Sequence, residues 1–158
     1  MIHNFDPVFI DLGLIQIRWY SIAYIAGILL GWMYSIKIID ETAKKNNFSL
    51  IKTEIFNDLI IYLILGIILG GRLGYVIFYD FEYYSQNFFE IFKLWQGGMS
   101  FHGGLLGVII ATIFFSKIKK INFLIFTDII SCAAPIGLML GRIANFINGE
   151  LFGKISTL

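Results

Sequence analysis

The chain has 158 residues, of which 58% are hydrophobic and only 15% charged, whereas an average globular domain has about 25% charged residues. Its 12 basic and 11 acidic residues give a formal net charge of +1, without the basic surplus of a nucleic-acid-binding protein. So few charges cannot cover the surface of a soluble domain of this size. The composition therefore indicates an integral membrane protein.

Four apolar stretches follow one another along the chain. A helix that crosses the hydrocarbon core needs about 20 mostly apolar residues. The expected spans are residues 15–39, 56–79, 103–115 and 123–148. The third is short, and the preceding GGMSF either lengthens it or forms a re-entrant entry. The predicted fold class is all-α, a polytopic membrane helix bundle of about four transmembrane helices, with residues 1–158 as a single membrane-embedded domain.

The stretch between the second and third spans reads FEYYSQNFFEIFKLWQ. It is rich in aromatic residues and carries a few charges. This composition is typical of a segment that lies in the membrane interface rather than one that crosses the bilayer.

The lysines predict the orientation of the spans. Loops that carry lysine or arginine stay in the cytoplasm. The first and third loops hold most of these lysines: Lys44, Lys45 and Lys52 in one, and Lys117, Lys119 and Lys120 in the other. The linker between spans two and three has only Lys93. We therefore expect a multi-pass protein with its N-terminus outside.

Polar and charged residues, whose insertion into a bilayer costs free energy, are expected near the outer ends of the spans. Tyr20, Arg72 and Arg142 fall roughly 7–10 Å below the outer interface at about 1.5 Å per residue, and His102 begins the third span. Charged groups inside a membrane mark function by default. The sequence therefore predicts one polar layer near the outer face.

The two arginines have a structural and a functional interpretation. Either could form an ion pair, with Glu150 or Asp80 as the partner. The glycines beside them, in GGRLGY and GRIANF, favour instead a space in which a ligand binds. Arg142 and Asn145 are three residues apart and share a helix face. With Glu150 nearby, this set suits a phosphate-bearing amphiphile, because arginine binds phosphate oxygens bidentately.

These residues stand in segments that resemble a known family, prolipoprotein diacylglyceryl transferase. The resemblance rests on five segments that stand along the chain in that family's order: the opening FDPV, RWY, GGRLGYVIFY, GGMSFHGGLLG and GRIANFINGELFG. It implies a bacterial cytoplasmic (inner) membrane enzyme that moves the diacylglyceryl group of phosphatidylglycerol to the lipobox cysteine of a prolipoprotein signal peptide. A thioether forms and glycerol phosphate leaves. Because family members are longer, we expect this chain to be the N-terminal part of a longer transferase.

The resemblance also implies residue roles. The family's essential positions fall on Tyr20, His102, Arg142, Asn145, Glu150 and Gly153, and Arg72 falls on a further arginine of its lipid site. We expect Arg142, Arg72 and Gly153 to bind lipid. His102 is the candidate general base, because imidazole exchanges protons near neutral pH. No metal or other cofactor is expected, since a lone histidine with scattered carboxylates does not make a metal site.

A small anion or lipid transporter subunit is the alternative function, with Arg72 and Arg142 lining the path. Transporters of this kind usually contain paired repeats and interrupted helices near the midplane. The sequence has no repeat, and its polar layer lies toward one face only. This asymmetry favours an interfacial lipid enzyme.

Overall fold

The computed structural model describes residues 8–11, 16–46 and 51–149. Four helices in this part are long and apolar enough to cross a membrane. They are α1 (Trp19–Asn46), α2 (Thr53–Phe78), α4 (Phe101–Lys119) and α5 (Phe123–Ile147), and a short helix α3 (Phe81–Gln86) follows α2. The predicted all-α, polytopic class is confirmed.

The first span begins later than predicted. Residues before Trp19 include two short strands, β1 (Val8–Asp11) and β2 (Gln16–Arg18), which pair antiparallel with Val8 opposite Arg18. The expected start at residue 15 was therefore wrong. Phe9 packs edge-on against Trp19 with ring centroids 4.6 Å apart, which joins the strand pair to the start of α1.

The third span is longer than its apolar run. Gly97 and Gly98 have φ values of +84° and +81°, in the region that favours glycine, and α4 begins only after Ser100. The GGMS residues are therefore non-helical, and the helix gains two residues, Phe101 and His102, at its start. It ends at Lys119, and the next residue, Lys120, has the left-handed conformation that often terminates a helix.

The segment from residue 80 to residue 100, here called the interfacial segment, contains α3 and two 3₁₀ helices, Phe88–Phe92 and Leu94–Gln96. Many of its aromatic side chains point away from the protein. Phe89 is 83% exposed and Trp95 is 80% exposed. Exposed aromatic rings on short helices fit the predicted position in the membrane interface.

The described residues belong to two compact units, Thr42–Asp128 and the combination of Met1–Glu41 with Ile129–Leu158. In the first of these, glycines bring α2 and α4 together. A Cβ atom on Gly74 would lie 2.7 Å from the Cα of Gly103, and one on Gly70 would lie 2.9 Å from the Cα of Gly107. Such close backbone approach is the usual role of small residues between membrane helices.

The other end of the α2–α4 pair is closed by aromatic packing. Phe115 is fully buried, and its ring lies 5.0 Å from that of Tyr62 and 5.6 Å from that of Phe126. At this end Lys119 also forms an ion pair with Asp58 at 2.7 Å. These contacts make the Thr42–Asp128 unit a packed element from one helix end to the other.

In the second unit, α1 and α5 also approach each other through small residues. A Cβ on Gly27 would lie 3.2 Å from the Cα of Gly137, and one on Gly31 would lie 3.8 Å from the Cβ of Ala133. These distances fit close packing without the severe overlap found between α2 and α4. The expected single domain stays a prediction.

Candidate functional site

Arg72 lies six residues before the end of α2 and is only 3% exposed. Its guanidinium group is surrounded by backbone of the interfacial segment. Five carbonyl oxygens accept its hydrogen bonds, namely those of Glu90 (2.8 Å), Ile91 (2.8 Å), Lys93 (3.4 Å), Gly97 and Gly98 (3.1 Å). The ring of Tyr84 lies 5.1 Å from the guanidinium carbon. A guanidinium has five N–H donors, so all of them are used.

This environment differs from the one expected for Arg72. The neighbouring glycines do not leave space for a ligand. A Cβ on Gly71 would lie 2.7 Å from the terminal carbon of Met99, and Gly70 and Gly74 pack against α4. The inference of a ligand cavity from these glycines was therefore wrong, because α4 and the interfacial segment fill the space. Glu90, the acidic residue among those whose carbonyls accept from Arg72, directs its carboxylate to Lys93.

Ser100 connects the interfacial segment to the start of α4. Its backbone N–H donates to the carbonyl oxygen of Gly71 at 2.8 Å. Its hydroxyl oxygen accepts from the N–H of Gly103 at 3.2 Å, and its carbonyl accepts from Gly104 at 2.9 Å. The bond from the N–H of Gly103 to the serine hydroxyl is an N-cap, which serine forms readily. A serine directly before the apolar run was the sequence signal that could have identified it.

His102 is the second residue of α4, and its side chain is exposed. Its imidazole contacts the ring of Phe101 edge-on, with centroids 5.6 Å apart. In the part of the chain that the structure describes, no hydrogen bond or ion pair occupies the imidazole. The group is therefore open to an incoming molecule, and the cap at Ser100 holds its backbone.

Arg142 and Asn145 lie near the end of α5 but differ in exposure. Arg142 is exposed, and among the described residues it has no hydrogen-bond or ion-pair partner. Asn145 is 9% exposed, and its Oδ1 atom has no hydrogen-bond partner in the described ranges. Their i, i+3 spacing places them about one turn apart along α5, yet the side chain of Asn145 is buried and that of Arg142 is exposed, and the shared face stays a prediction.

Tyr20 is the second residue of α1, so it lies at the helix start instead of a turn or more inside it. It is half-buried and stacks on Tyr24 with ring centroids 5.9 Å apart. The predicted depth for this residue was therefore wrong, because the first span begins at Trp19. Two further predicted site residues, Glu150 and Gly153, lie outside the described residues.

Comparison with known proteins gives one consistent result. The family described as "Prolipoprotein diacylglyceryl transferase" matches residues 7–158. Relatives named phosphatidylglycerol–prolipoprotein diacylglyceryl transferase include one from Rickettsia canadensis (strain McKiel), 52% identical over 157 residues, and one from Paramagnetospirillum magneticum (strain ATCC 700264 / AMB-1), 50% identical over 153 residues. A third, from Rhodopseudomonas palustris (strain ATCC BAA-98 / CGA009), is 49% identical over 150 residues.

These alignments cover most of this chain and about half of each relative. They include 97% of the chain for the first two relatives and 95% for the third. They include 57%, 55% and 52% of the Rickettsia, Paramagnetospirillum and Rhodopseudomonas proteins respectively. The chain therefore spans about half the length of the curated relatives that it matches.

Proposed function

This chain belongs to the prolipoprotein diacylglyceryl transferase family, and from that membership we propose that it carries part of the active site of such an enzyme. The reaction transfers the diacylglyceryl group of phosphatidylglycerol to the lipobox cysteine thiol in a prolipoprotein signal peptide. The products are a thioether and glycerol phosphate. The enzyme acts in the bacterial inner membrane.

The observation that carries this proposal is the environment of the His102 side chain. Its imidazole is exposed at the first turn of an apolar helix and is free of polar partners in the described structure. A general base must be within hydrogen-bond reach of the proton that it removes. An open imidazole at a helix start, beside an interfacial segment, can meet a peptide thiol that approaches along the membrane surface.

The chemical step is a displacement at the glycerol carbon that bears the phosphate. A free cysteine thiol has a pKa of about 8.5, so it needs a base near neutral pH. His102 takes the thiol proton while sulfur forms the new C–S bond. The C–O bond to the phosphate breaks, and glycerol phosphate leaves with that electron pair. Atoms and charge balance without a redox partner.

Arg142 stabilises the leaving phosphate in this proposal. Its guanidinium is exposed and lacks polar partners among the described residues, so its N–H groups are available for phosphate oxygens. Removing a donor positioned at developing charge typically lowers kcat by about 10²–10³-fold. Asn145 would bind a headgroup hydroxyl, and Tyr20, Glu150 and Gly153 complete the lipid site.

The orientation proposed here places the N-terminus outside. Basic residues lie at the C-terminal ends of two long helices: Lys44 and Lys45 in the last turn of α1, and Lys117 and Lys119 in the last turn of α4. These ends would face the cytoplasm under the positive-inside rule. The starts of α1 and α4, with Tyr20 and His102, would then face outward, where a translocated signal peptide arrives.

The test is a transfer assay with a chimera. The chain replaces its matched segment in the Rickettsia canadensis relative, and the purified protein is reconstituted in phosphatidylglycerol vesicles. A synthetic signal peptide with a lipobox cysteine should gain the mass of one diacylglyceryl group. A peptide with serine in place of cysteine should gain none.

Variants of the chimera assign the reaction to the chain's own residues. His102→Gln should abolish transfer and Arg142→Ala should lower kcat by about 10²–10³-fold, whereas Lys117→Gln, at an exposed cation at the other end of α4, should leave transfer unchanged. An active parent relative with an inactive chimera would contradict the proposal. Passage of anions or lipids across the vesicle membrane without any change in peptide mass would favour the transporter alternative.

A further inference from the structure

We propose that Arg72 is a positioning residue: it holds the interfacial segment against α2 and thereby fixes the first turn of α4, which presents His102. This inference rests on the proposed role of His102 as the base. It assigns Arg72 a different role from direct contact with a lipid headgroup, which the family resemblance implies.

The hydrogen bonds of Arg72 leave no donor for a phosphate. Its five N–H groups meet five carbonyl oxygens between Glu90 and Gly98, and the side chain is 3% exposed. A phosphate oxygen could bind only by displacing one of these carbonyls. Tyr84 covers the guanidinium as well, since its ring lies 5.1 Å from the central carbon. The group is therefore enclosed by its own chain.

The carbonyls need such a donor. Glu90 and Ile91 belong to the 3₁₀ helix Phe88–Phe92, Lys93 follows it, and Gly97 and Gly98 form the turn after Leu94–Gln96, so continuous α-helical hydrogen bonding is absent here. Irregular backbone near membrane depth is tolerated only where protein satisfies its polar groups. Arg72 donates to all five acceptors at once and so joins the first 3₁₀ helix, the residue after it and the Gly97–Gly98 turn to α2.

The connection from Arg72 to His102 is short. Gly98, which accepts from Arg72, is followed after one residue by Ser100, which donates to Gly71 at 2.8 Å. Ser100 then caps α4, and His102 is the second residue after it. Two adjacent residues of α2 therefore bind the chain on the two sides of Met99, just before the helix that carries the proposed base.

The shape of the arginine side chain matters as well as its charge. Lysine has three donors on one rotating ammonium, whereas arginine has five in a planar fork. Arg72 donates its hydrogen bonds to backbone carbonyls and lies against the ring of Tyr84, while the carboxylate of Glu90 pairs with Lys93. Arg72→Lys would keep the charge and lose most of the directed hydrogen bonds.

The experiment measures kcat and KM of Arg72→Lys and Arg72→Met in the chimera described above. Positioning predicts that kcat falls at least tenfold in Arg72→Lys and further in Arg72→Met, while KM for phosphatidylglycerol changes less than twofold. Lys117→Met, an exposed cation of α4, is the matched control and should leave both constants unchanged. A KM for phosphatidylglycerol raised tenfold with an unchanged kcat would show headgroup contact and overturn the inference.

Amide hydrogen exchange provides the second readout. In both Arg72 variants, residues 97–104 should exchange faster than in the parent chimera, while residues 110–119 should keep their protection. Unchanged exchange at residues 97–104 would also overturn the inference. Failure of the proposed function is distinguishable, because the parent chimera itself would then transfer no diacylglyceryl group.

Discussion

Gly66 and Gly107 face each other where α2 and α4 cross, and a Cβ on Gly66 would lie 2.6 Å from the carbonyl oxygen of Gly107. No real side chain tolerates that distance from backbone. Lipid tails are as apolar as leucine, so membrane helices associate chiefly through close packing rather than through the hydrophobic effect. The glycines of this pair therefore set the distance between two helices that carry Arg72 and His102.

Gly66→Ala should separate α2 from α4. The added methyl group meets backbone on the facing helix, so the helices must move apart, and overpacking of this kind costs about 1–3 kcal/mol. We expect a lower unfolding temperature in detergent and faster proteolysis of the interfacial segment.

Gly137→Ala in α5 is the matched control for that substitution. A Cβ there meets no atom within 4 Å among the described residues. Alanine is favoured over glycine in a helix interior by about 1 kcal/mol, so the unfolding temperature should stay the same or rise. Equal destabilisation by the two substitutions would contradict the role assigned to the Gly66 contact.

Span positions were predictable because bilayer thickness fixes the length of an apolar run. The second and fourth spans agree with α2 (Thr53–Phe78) and α5 (Phe123–Ile147) within a few residues. The start of the first span was not predictable in this way, because Ile17 prolongs the apolar pattern although Gln16–Arg18 is a strand. Hydropathy reports how readily residues enter an apolar environment, and over so few residues it does not distinguish a strand from a helix.

The surroundings of Arg72 show what a sequence pattern omits. Its partners are backbone carbonyls, and every residue type has one, so the sequence carries no mark of them. The glycines beside Arg72 were visible, but they fit equally a ligand space and a close helix contact. The opposing glycines of α4, Gly103 and Gly107, favour the second interpretation. The exposed position of His102 follows more directly from sequence, since the residue stands at the start of an apolar run.

Ser100→Ala should loosen the first turn of α4. The variant loses the N-cap hydrogen bond to Gly103, which is worth about 1 kcal/mol. Because His102 lies in that turn, transfer activity in the chimera should fall severalfold while the protein stays folded. Ser100→Thr, which retains a hydroxyl cap, should restore most of the activity. Equal activity of the alanine and threonine variants would show that the cap does not position the base.

Asp58→Asn should change stability only slightly. Asp58 and Lys119 form a 2.7 Å ion pair, but their side chains are 56% and 34% exposed. Exposed pairs of this kind contribute about 0.2–1 kcal/mol, and salt screens them. A double-mutant cycle with Lys119→Gln, followed by thermal unfolding at low and high salt, should give a coupling energy within this range that decreases with salt. A larger, salt-independent coupling would contradict the assignment.

Arg142→Ala should lower transfer activity with little effect on stability. Since the side chain is exposed and no described residue binds it, its removal should change the unfolding temperature by less than Gly66→Ala does. If Arg142 meets the charge that develops on the leaving phosphate, kcat in the chimera should fall by about 10²–10³-fold. Arg142→Lys should recover part of this loss, because lysine keeps the charge but not the bidentate fork. Single-turnover measurement of thioether formation in vesicles checks the rate, and a variant that unfolds instead of losing turnover would assign Arg142 a structural role.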